Sequence, residues 1–169
     1  MVTFEYINRP ASRNSGMEAV RMKKKYPVLI AFAFGALPFL AGGIQNRYML
    51  AHADSAFPYG LISLAALLVW GCIAFFLDKH YRMTRAIFIS LNLIAAFDLL
   101  LVGIQELAFH AYWANGIGVW SQLFYLPILN LGFSLTSWSH SVFTAYAACF
   151  VLMAAVSFAG CKLSEKLQK

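Results

Sequence analysis

Residues 86–109, AIFISLNLIAAFDLLLVGIQELAF, decide the fold class. At about 1.5 Å per residue, a helix of this length extends roughly 36 Å, enough to cross a hydrocarbon core of about 30 Å. The stretch has no Lys or Arg, and its only carboxylates are Asp98 near the middle and Glu106 near the end. An apolar run this long exceeds what a soluble core needs, so we predict a membrane-spanning helix.

Three further runs have the same character, and we place them at about residues 26–50, 59–77 and 142–160. Only 12% of the 169 residues are charged and 61% are hydrophobic, whereas soluble domains have about 25% charged residues. A membrane β-barrel would show alternating segments of about ten residues, a pattern that this sequence lacks. The sequence therefore predicts an all-α integral membrane bundle of four transmembrane helices.

Residues 110–141 form the long connection before the last span, and they favour the membrane surface over a fifth span. Trp and Tyr concentrate at the headgroup level of bilayers, and Pro127 interrupts the apolar stretch 119–135. We predict an aromatic segment on the extracytoplasmic side, either interfacial or re-entrant. Its candidate interfacial aromatics are Trp113, Trp120, Tyr125 and Trp138. A fifth span is the alternative.

The basic residues set the orientation. Four spans put the basic clusters 23–25, 79–85 and 162–169 on one side and leave only Arg47 on the other. Because Lys and Arg accumulate in cytoplasmic loops, we predict a multi-pass protein of the cell membrane with both termini cytoplasmic. Five spans would move the C-terminal lysines outside. The net charge of +6 is thus explained by topology, and no nucleic-acid partner is predicted.

The N-terminal residues 1–21 lack any apolar period, and we predict a disordered cytoplasmic tail before a single transmembrane domain, 22–169. Two alternatives stay open here. In the first, translation starts at Met17 or Met22 and the tail is not made. In the second, the first span is a signal peptide that is cleaved after Ala53. The apolar run is long for a signal peptide, whose apolar region has about 7–15 residues.

Asp98, Gln105 and Asn92 make a candidate intramembrane polar site on the third span. A carboxylate at mid-helix costs about 2.5–3.5 kcal/mol on insertion scales, so Asp98 should face the bundle interior or water. Gln105 lies two helical turns later on the same face. Either Asp98 responds to protons, cations or a polar ligand, or it fixes packing through a partner such as Ser63 or Thr144.

Glu106, His110 and Arg47 make a candidate cluster at the outer mouth. Glu106 and His110 are four residues apart and share a helix face, and Arg47 should lie at a similar depth. They form either an interfacial salt bridge or the entrance of a cavity. His52, His110 and His140 match no metal-binding spacing, so we predict no metal and no other cofactor.

Templates for enzymes mostly fail: the chain has no nucleophile elbow, no H-E-x-x-H and, among its three cysteines, no C-x-x-C. We therefore favour a small non-enzymatic membrane protein that binds a lipid-like or protein partner, a second copy of the chain included, in an accessory or scaffold role. The first alternative is an ion- or proton-coupled transporter that uses Asp98. A weaker alternative is an intramembrane enzyme that uses Glu106 and His110.

Overall fold

The computed structural model describes residues 25–52, 58–113 and 115–168. The N-terminal tail 1–21, both candidate start methionines and Ala53 of the cleavage site lie outside these residues. Within them every element is a helix, and we number the helices in chain order. They are α1 (Lys25–Ala51), α2 (Tyr59–Tyr81), α3 (Thr84–Gly103, continued by the π-helical turn Ile104–Ala108), α4 (Gly116–Tyr125), α5 (Leu129–Leu135) and α6 (Val142–Leu167).

Four of these helices are long and apolar enough to cross a membrane: α1, α2, α3 with its π-helical turn, and α6. The predicted all-α bundle of four spans is therefore confirmed. The helices α2 and α6 continue beyond the predicted ends of their spans, to Tyr81 and Leu167. Hydropathy marks where a chain leaves hydrocarbon, and a helix can continue past that level. The end of α2 comes only at Arg82, in the left-handed conformation with φ of 52°.

The helix α1 is interrupted by a turn at Ala36. Pro38 follows in the first turn of the second half, Leu37–Ala51. Because proline lacks an N–H and its ring clashes with the preceding turn, it breaks the regular hydrogen-bond ladder at this point.

The helices α4 and α5 form a hairpin that turns at residues 126–128. At its tip the fully buried Tyr125 donates a hydrogen bond of 2.6 Å from its hydroxyl to the carbonyl of Ala95, near the middle of α3. The thiol of Cys149 in α6 lies 3.5 Å from the carbonyl of Ile128 in the turn. The hairpin thus enters the bundle to mid-height and returns, which is the re-entrant form of the predicted aromatic segment.

The helix α6 is the hub of the bundle and packs against α2, α3 and α5. It comes very close to α2, where a Cβ added to Gly160 would lie 2.4 Å from the carbonyl oxygen of Gly71. Small residues allow helix backbones to come this close in membranes, where dispersion contacts and hydrogen bonds drive association. The amide of Gln168 donates to the carbonyl of Lys79 at 3.3 Å, so the C-terminal end of α6 lies beside the end of α2.

The helix α1 is packed against the hairpin. The ring of Phe39 makes edge contacts with Trp120 and Phe124, at centroid distances of 5.8 and 4.8 Å. Gly42 lies directly against α4, since a Cβ there would come within 1.9 Å of the Leu123 carbonyl oxygen. Gly43 is the next residue, and a Cβ there meets nothing within 4 Å.

This pair of glycines gives the first prediction. Gly42→Ala should destabilise the protein by about 1–3 kcal/mol, because the added methyl group must push α1 away from the hairpin. Gly43→Ala should leave stability unchanged or raise it by up to about 1 kcal/mol, since alanine favours helix. Thermal unfolding in detergent, followed by circular dichroism, measures both. Equal midpoints for the two variants would show that α1 does not pack on Leu123.

Candidate functional site

A small apolar cavity lies between α1, α2 and the tip of the hairpin, with a volume of about 110 Å³. Pro38 of α1, Ala66 and Trp70 of α2, and Phe124 and Ile128 of the hairpin are among its lining residues. Trp70 is only 4% exposed, and its indole N–H has no hydrogen-bond partner in the described part of the chain. The cavity exists because the hairpin turns at mid-height and leaves the space beside α1 and α2 unfilled.

A wider groove of about 590 Å³ follows the same two helices from mid-height to the C-terminal end of α2. Val69 and Ile73 line both the cavity and the groove, so the two spaces are direct neighbours along α2. We call the cavity and the groove together the α1–α2 cleft. Its walls are almost wholly apolar, with exposed Cys72 in the groove and exposed His80 at the groove's end.

The end of the bundle at which the groove terminates is rich in basic residues, and we call it the basic end. The residue Lys25 begins α1, and the turn between α2 and α3 holds Arg82. The contact between Gln168 and Lys79 brings the basic tail of α6 to the same end. The exposed basic residues there are Lys25, Lys79, Arg82, Arg85, Lys162 and Lys166.

The candidate polar residues of α3 are all buried within the bundle, as the cost of placing them in lipid predicts. Asn92 donates to the Ser157 hydroxyl of α6 at 2.8 Å. Gln105 donates to the Ser121 hydroxyl of α4 at 3.0 Å and accepts from the backbone N–H of Trp113 at 3.0 Å. Both amides therefore hold helices together, and none of the hydrogen bonds that they make in the described part of the chain involves Asp98.

Asp98 is 2% exposed, and its Oδ2 atom has no hydrogen-bond partner among the residues that the structure describes. Neither suggested partner fills this role: the Thr144 hydroxyl donates to the Ser141 carbonyl at 2.6 Å, and the buried Ser63 hydroxyl is itself without a partner there. Asp98 instead lies in the neighbourhood of Tyr125 and Tyr146, and the Tyr125 hydroxyl binds the Ala95 carbonyl one helical turn before Asp98. The rings of these tyrosines meet edge to face, with centroids 5.7 Å apart.

Glu106 is bound within the protein rather than to the other two residues of the predicted mouth cluster. Its carboxylate accepts hydrogen bonds from the Tyr112 hydroxyl and from the Ser141 hydroxyl, the latter at 2.5 Å. The carboxylate lies beside the first backbone N–H groups of α6, at Val142 and Phe143, where a negative charge stabilises the positive end of the helix dipole. Burial, followed by the bond to Glu106, raises the pKa of Tyr112, so this hydroxyl stays a donor.

Arg47 and His110 are both exposed, and no ion pair joins either of them to Glu106 in the described ranges. His110 has a left-handed backbone, with φ of 50°, and follows the π-helical turn that ends α3. Within the described residues, the partners of Glu106 are therefore Tyr112 and Ser141 rather than Arg47 or His110. The predicted mouth cluster stays a prediction, as does the weaker alternative of an enzyme that uses Glu106 with His110.

The four candidate interfacial aromatics separate into two groups. Trp120 and Trp138 are exposed, and Trp113 is partly exposed, as an interfacial position requires. Tyr125 is instead fully buried at the hairpin tip, because its hydroxyl finds a backbone acceptor on α3.

Sequence reasoning missed the α1–α2 cleft, although one signal was available. Trp70 lies in the middle of an apolar span, whereas the other three tryptophans lie in residues 110–141. Since Trp favours the membrane interface, a tryptophan at mid-span indicates a special packing environment. His80, which belongs to the cleft, is indistinguishable in sequence from the basic loop around it.

The fold defines the chain as a small multi-pass membrane protein. No family model, curated protein sequence or solved structure matches it. Across residues 25–52, 58–113 and 115–168, no three His, Cys, Asp or Glu side chains are grouped closely enough to hold a metal ion.

Proposed function

We propose that this protein binds a lipid-like molecule without transforming it, and that one acyl chain of the ligand lies in the α1–α2 cleft. The observation that carries the proposal is an open apolar groove that lies directly beside a small apolar cavity, with Val69 and Ile73 lining both. A groove alone would be an ordinary seam between helices. A cavity of about 110 Å³ at its inner end offers the end of a chain a site of its own.

The size and lining of the cavity support this ligand class. Apolar cavities of about 150 Å³ bind molecules such as benzene, so the smaller space here accommodates the terminal methylenes of a chain. The walls offer many dispersion contacts, and Trp70, Phe124 and Met153 contribute large polarisable surfaces. A polar ligand would find almost no hydrogen-bonding group along these walls.

The distance between the two reactive side chains of the cleft favours a binding role over catalysis. Cys72 and His80 are eight residues apart on α2, so they are separated by about 12 Å along the helix. This spacing is too long for the histidine to activate the thiol. An accessory or scaffold protein that holds a lipid-like ligand fits these features.

A second candidate function is an ion- or proton-coupled carrier, and the unpartnered Oδ2 of Asp98 favours it. A buried carboxyl oxygen without a hydrogen bond is costly in a packed bundle. Buried carboxyl groups of this kind occur in membrane proteins at sites where protons or cations bind. The Tyr125 hydroxyl, which binds the Ala95 carbonyl one helical turn before Asp98, would supply a polar contact to a bound cation.

We also propose that the basic end faces the cytoplasm and that the bilayer is a cell membrane. Six exposed Lys and Arg side chains lie at this end in the described residues, and exposed Arg47 lies at the other end of α1. This asymmetry has the sign and the short-loop setting of the positive-inside rule. The hairpin then opens toward the extracytoplasmic side.

Filling the cavity tests lipid binding. Ala66→Phe should block the end of the cleft, whereas Ala65→Phe, on the neighbouring exposed position, should not. The readout is fluorescence of Trp70 in a variant with Phe at the other three tryptophan positions, in bilayers that contain lipids brominated on the acyl chain. We expect strong quenching that Ala66→Phe mostly removes and Ala65→Phe preserves. If Trp70 is not quenched in the parent protein, no chain enters the cavity.

Orientation is tested by thiol labelling in a Cys72→Ser background, since Cys149 and Cys161 are buried. A membrane-impermeant maleimide added to intact cells should label Arg47→Cys and should spare Leu167→Cys, which is exposed at the end of α6. Leu167→Cys should react after lysis. Labelling of Leu167→Cys in intact cells would reverse the proposed orientation.

The carrier candidate is tested with Asp98→Asn, which keeps the shape of the side chain and removes its charge. Proteoliposomes with a trapped pH dye should show proton entry above empty liposomes for the parent protein and background entry for Asp98→Asn. Asp78→Asn is the matched control, because Asp78 is equally buried and also has an unpartnered oxygen in the described chain. Background entry for the parent protein, or entry unaffected by Asp98→Asn, counts against the carrier.

A further inference from the structure

Resting on the proposed function, we infer that the ligand of the α1–α2 cleft is an anionic phospholipid, held by its chain in the cleft and by its phosphate at the basic end. His80 lines the groove at the end of α2, and two exposed basic residues lie at the same end of the bundle: Lys25 at the start of α1 and Arg82 directly after Tyr81 of the groove. These three residues would meet the headgroup.

The length of the cleft matches one leaflet. Trp70 marks the cavity, and His80 marks the end of the groove. Ten helical residues separate them, which corresponds to about 15 Å along the helix. This is about half of a 30 Å hydrocarbon core. A chain whose methyl end lies by Trp70 therefore places its glycerol and phosphate at the level of His80.

The charge at this level selects the headgroup. Asp78 is 1% exposed and so is turned away from the surface, and the Glu165 carboxylate is paired with the Lys162 ammonium at 2.7 Å. The exposed charges of the described residues beside the groove are therefore positive. Arg binds phosphate through two parallel hydrogen bonds, and Lys acts on it as a point charge. A headgroup without net charge would gain less from these residues.

The cavity argues for a lipid chain over a helix of a partner protein or of a second copy of this chain. A helix with its side chains is about 10–12 Å wide, far too wide to enter a space of about 110 Å³. A docked helix would cover the groove and could place only a single side chain in the cavity. An acyl chain fills both with the same ligand.

The experiment uses the full chain with Trp70 as its only tryptophan, in phosphatidylcholine nanodiscs that contain a small fraction of one brominated lipid. Phosphatidylglycerol and phosphatidylcholine with identical brominated chains are compared at the same fraction. We expect phosphatidylglycerol to quench Trp70 at markedly lower fractions. Each basic side chain that contacts the phosphate should contribute about fivefold to this preference.

The variant Lys25→Gln/His80→Gln/Arg82→Gln should reduce the preference about 25-fold or to none, because it removes two formal charges at the groove. The control Lys162→Gln/Lys166→Gln removes the same formal charge from the same end, on α6, and should keep the preference. These side chains are exposed, so the fold should persist, and quenching by brominated phosphatidylcholine at high fraction confirms that the cleft is intact.

The outcomes separate the two proposals. Equal quenching by both lipids at every fraction overturns the anionic headgroup and leaves chain binding in place. A preference that both variants lose equally assigns it to the general charge of the basic end, which also overturns the site at the groove. Absence of quenching by either lipid overturns the proposed function and, with it, this inference.

Discussion

The hairpin of α4 and α5 places non-helical backbone at mid-height of a membrane bundle. It can do so only because the surrounding helices enclose that backbone. Hydrocarbon offers no hydrogen bonds, so exposed carbonyl and N–H groups at this depth must find partners in the protein. Tyr125 reaches α3, and Cys149 of α6 meets the carbonyl of Ile128. These contacts explain why a chain segment with a proline and several polar residues can occupy this position.

The depth of the enclosed hairpin also determines where the bundle has free space. A fifth continuous span would fill the side of α1 and α2 over the full thickness of the membrane. A hairpin fills only the half from which it enters and leaves the other half open beside α2. The α1–α2 cleft lies in this open half, below Phe124 and Ile128. The candidate binding site is thus a direct consequence of the re-entrant turn.

The spans and the re-entrant segment could be predicted from local sequence. Long apolar runs indicate spans, because charged residues are costly in lipid. The tryptophans and Pro127 indicate a segment that does not cross the membrane. The roles of single polar residues could not be predicted in this way. Glu106 binds the start of α6, which begins at Val142, and no local pattern links residues so far apart in the chain. Helix periodicity places Gln105 and Asp98 on one face, yet tertiary partners divide their roles.

The cleft was beyond sequence reasoning for a related reason. A cavity is defined by what neighbouring elements fail to fill, and this depends on the depth of the hairpin rather than on the composition of α2. In the sequence, Ala66 and Trp70 are ordinary residues of an apolar helix. Only the position of the hairpin tip shows that they line a cavity. The same holds for His80, whose position at a groove exit depends on how α1 crosses α2.

The two candidate sites meet at the hairpin tip. Phe124 faces the cavity, and the next residue, Tyr125, lies against Ala95 and near Asp98. The two candidate sites are therefore neighbours at one point of α4. One side of the hairpin tip lines the cavity, and the other binds α3 one helical turn from Asp98, whose Oδ2 is the only unpartnered carboxyl oxygen in the described part of α3.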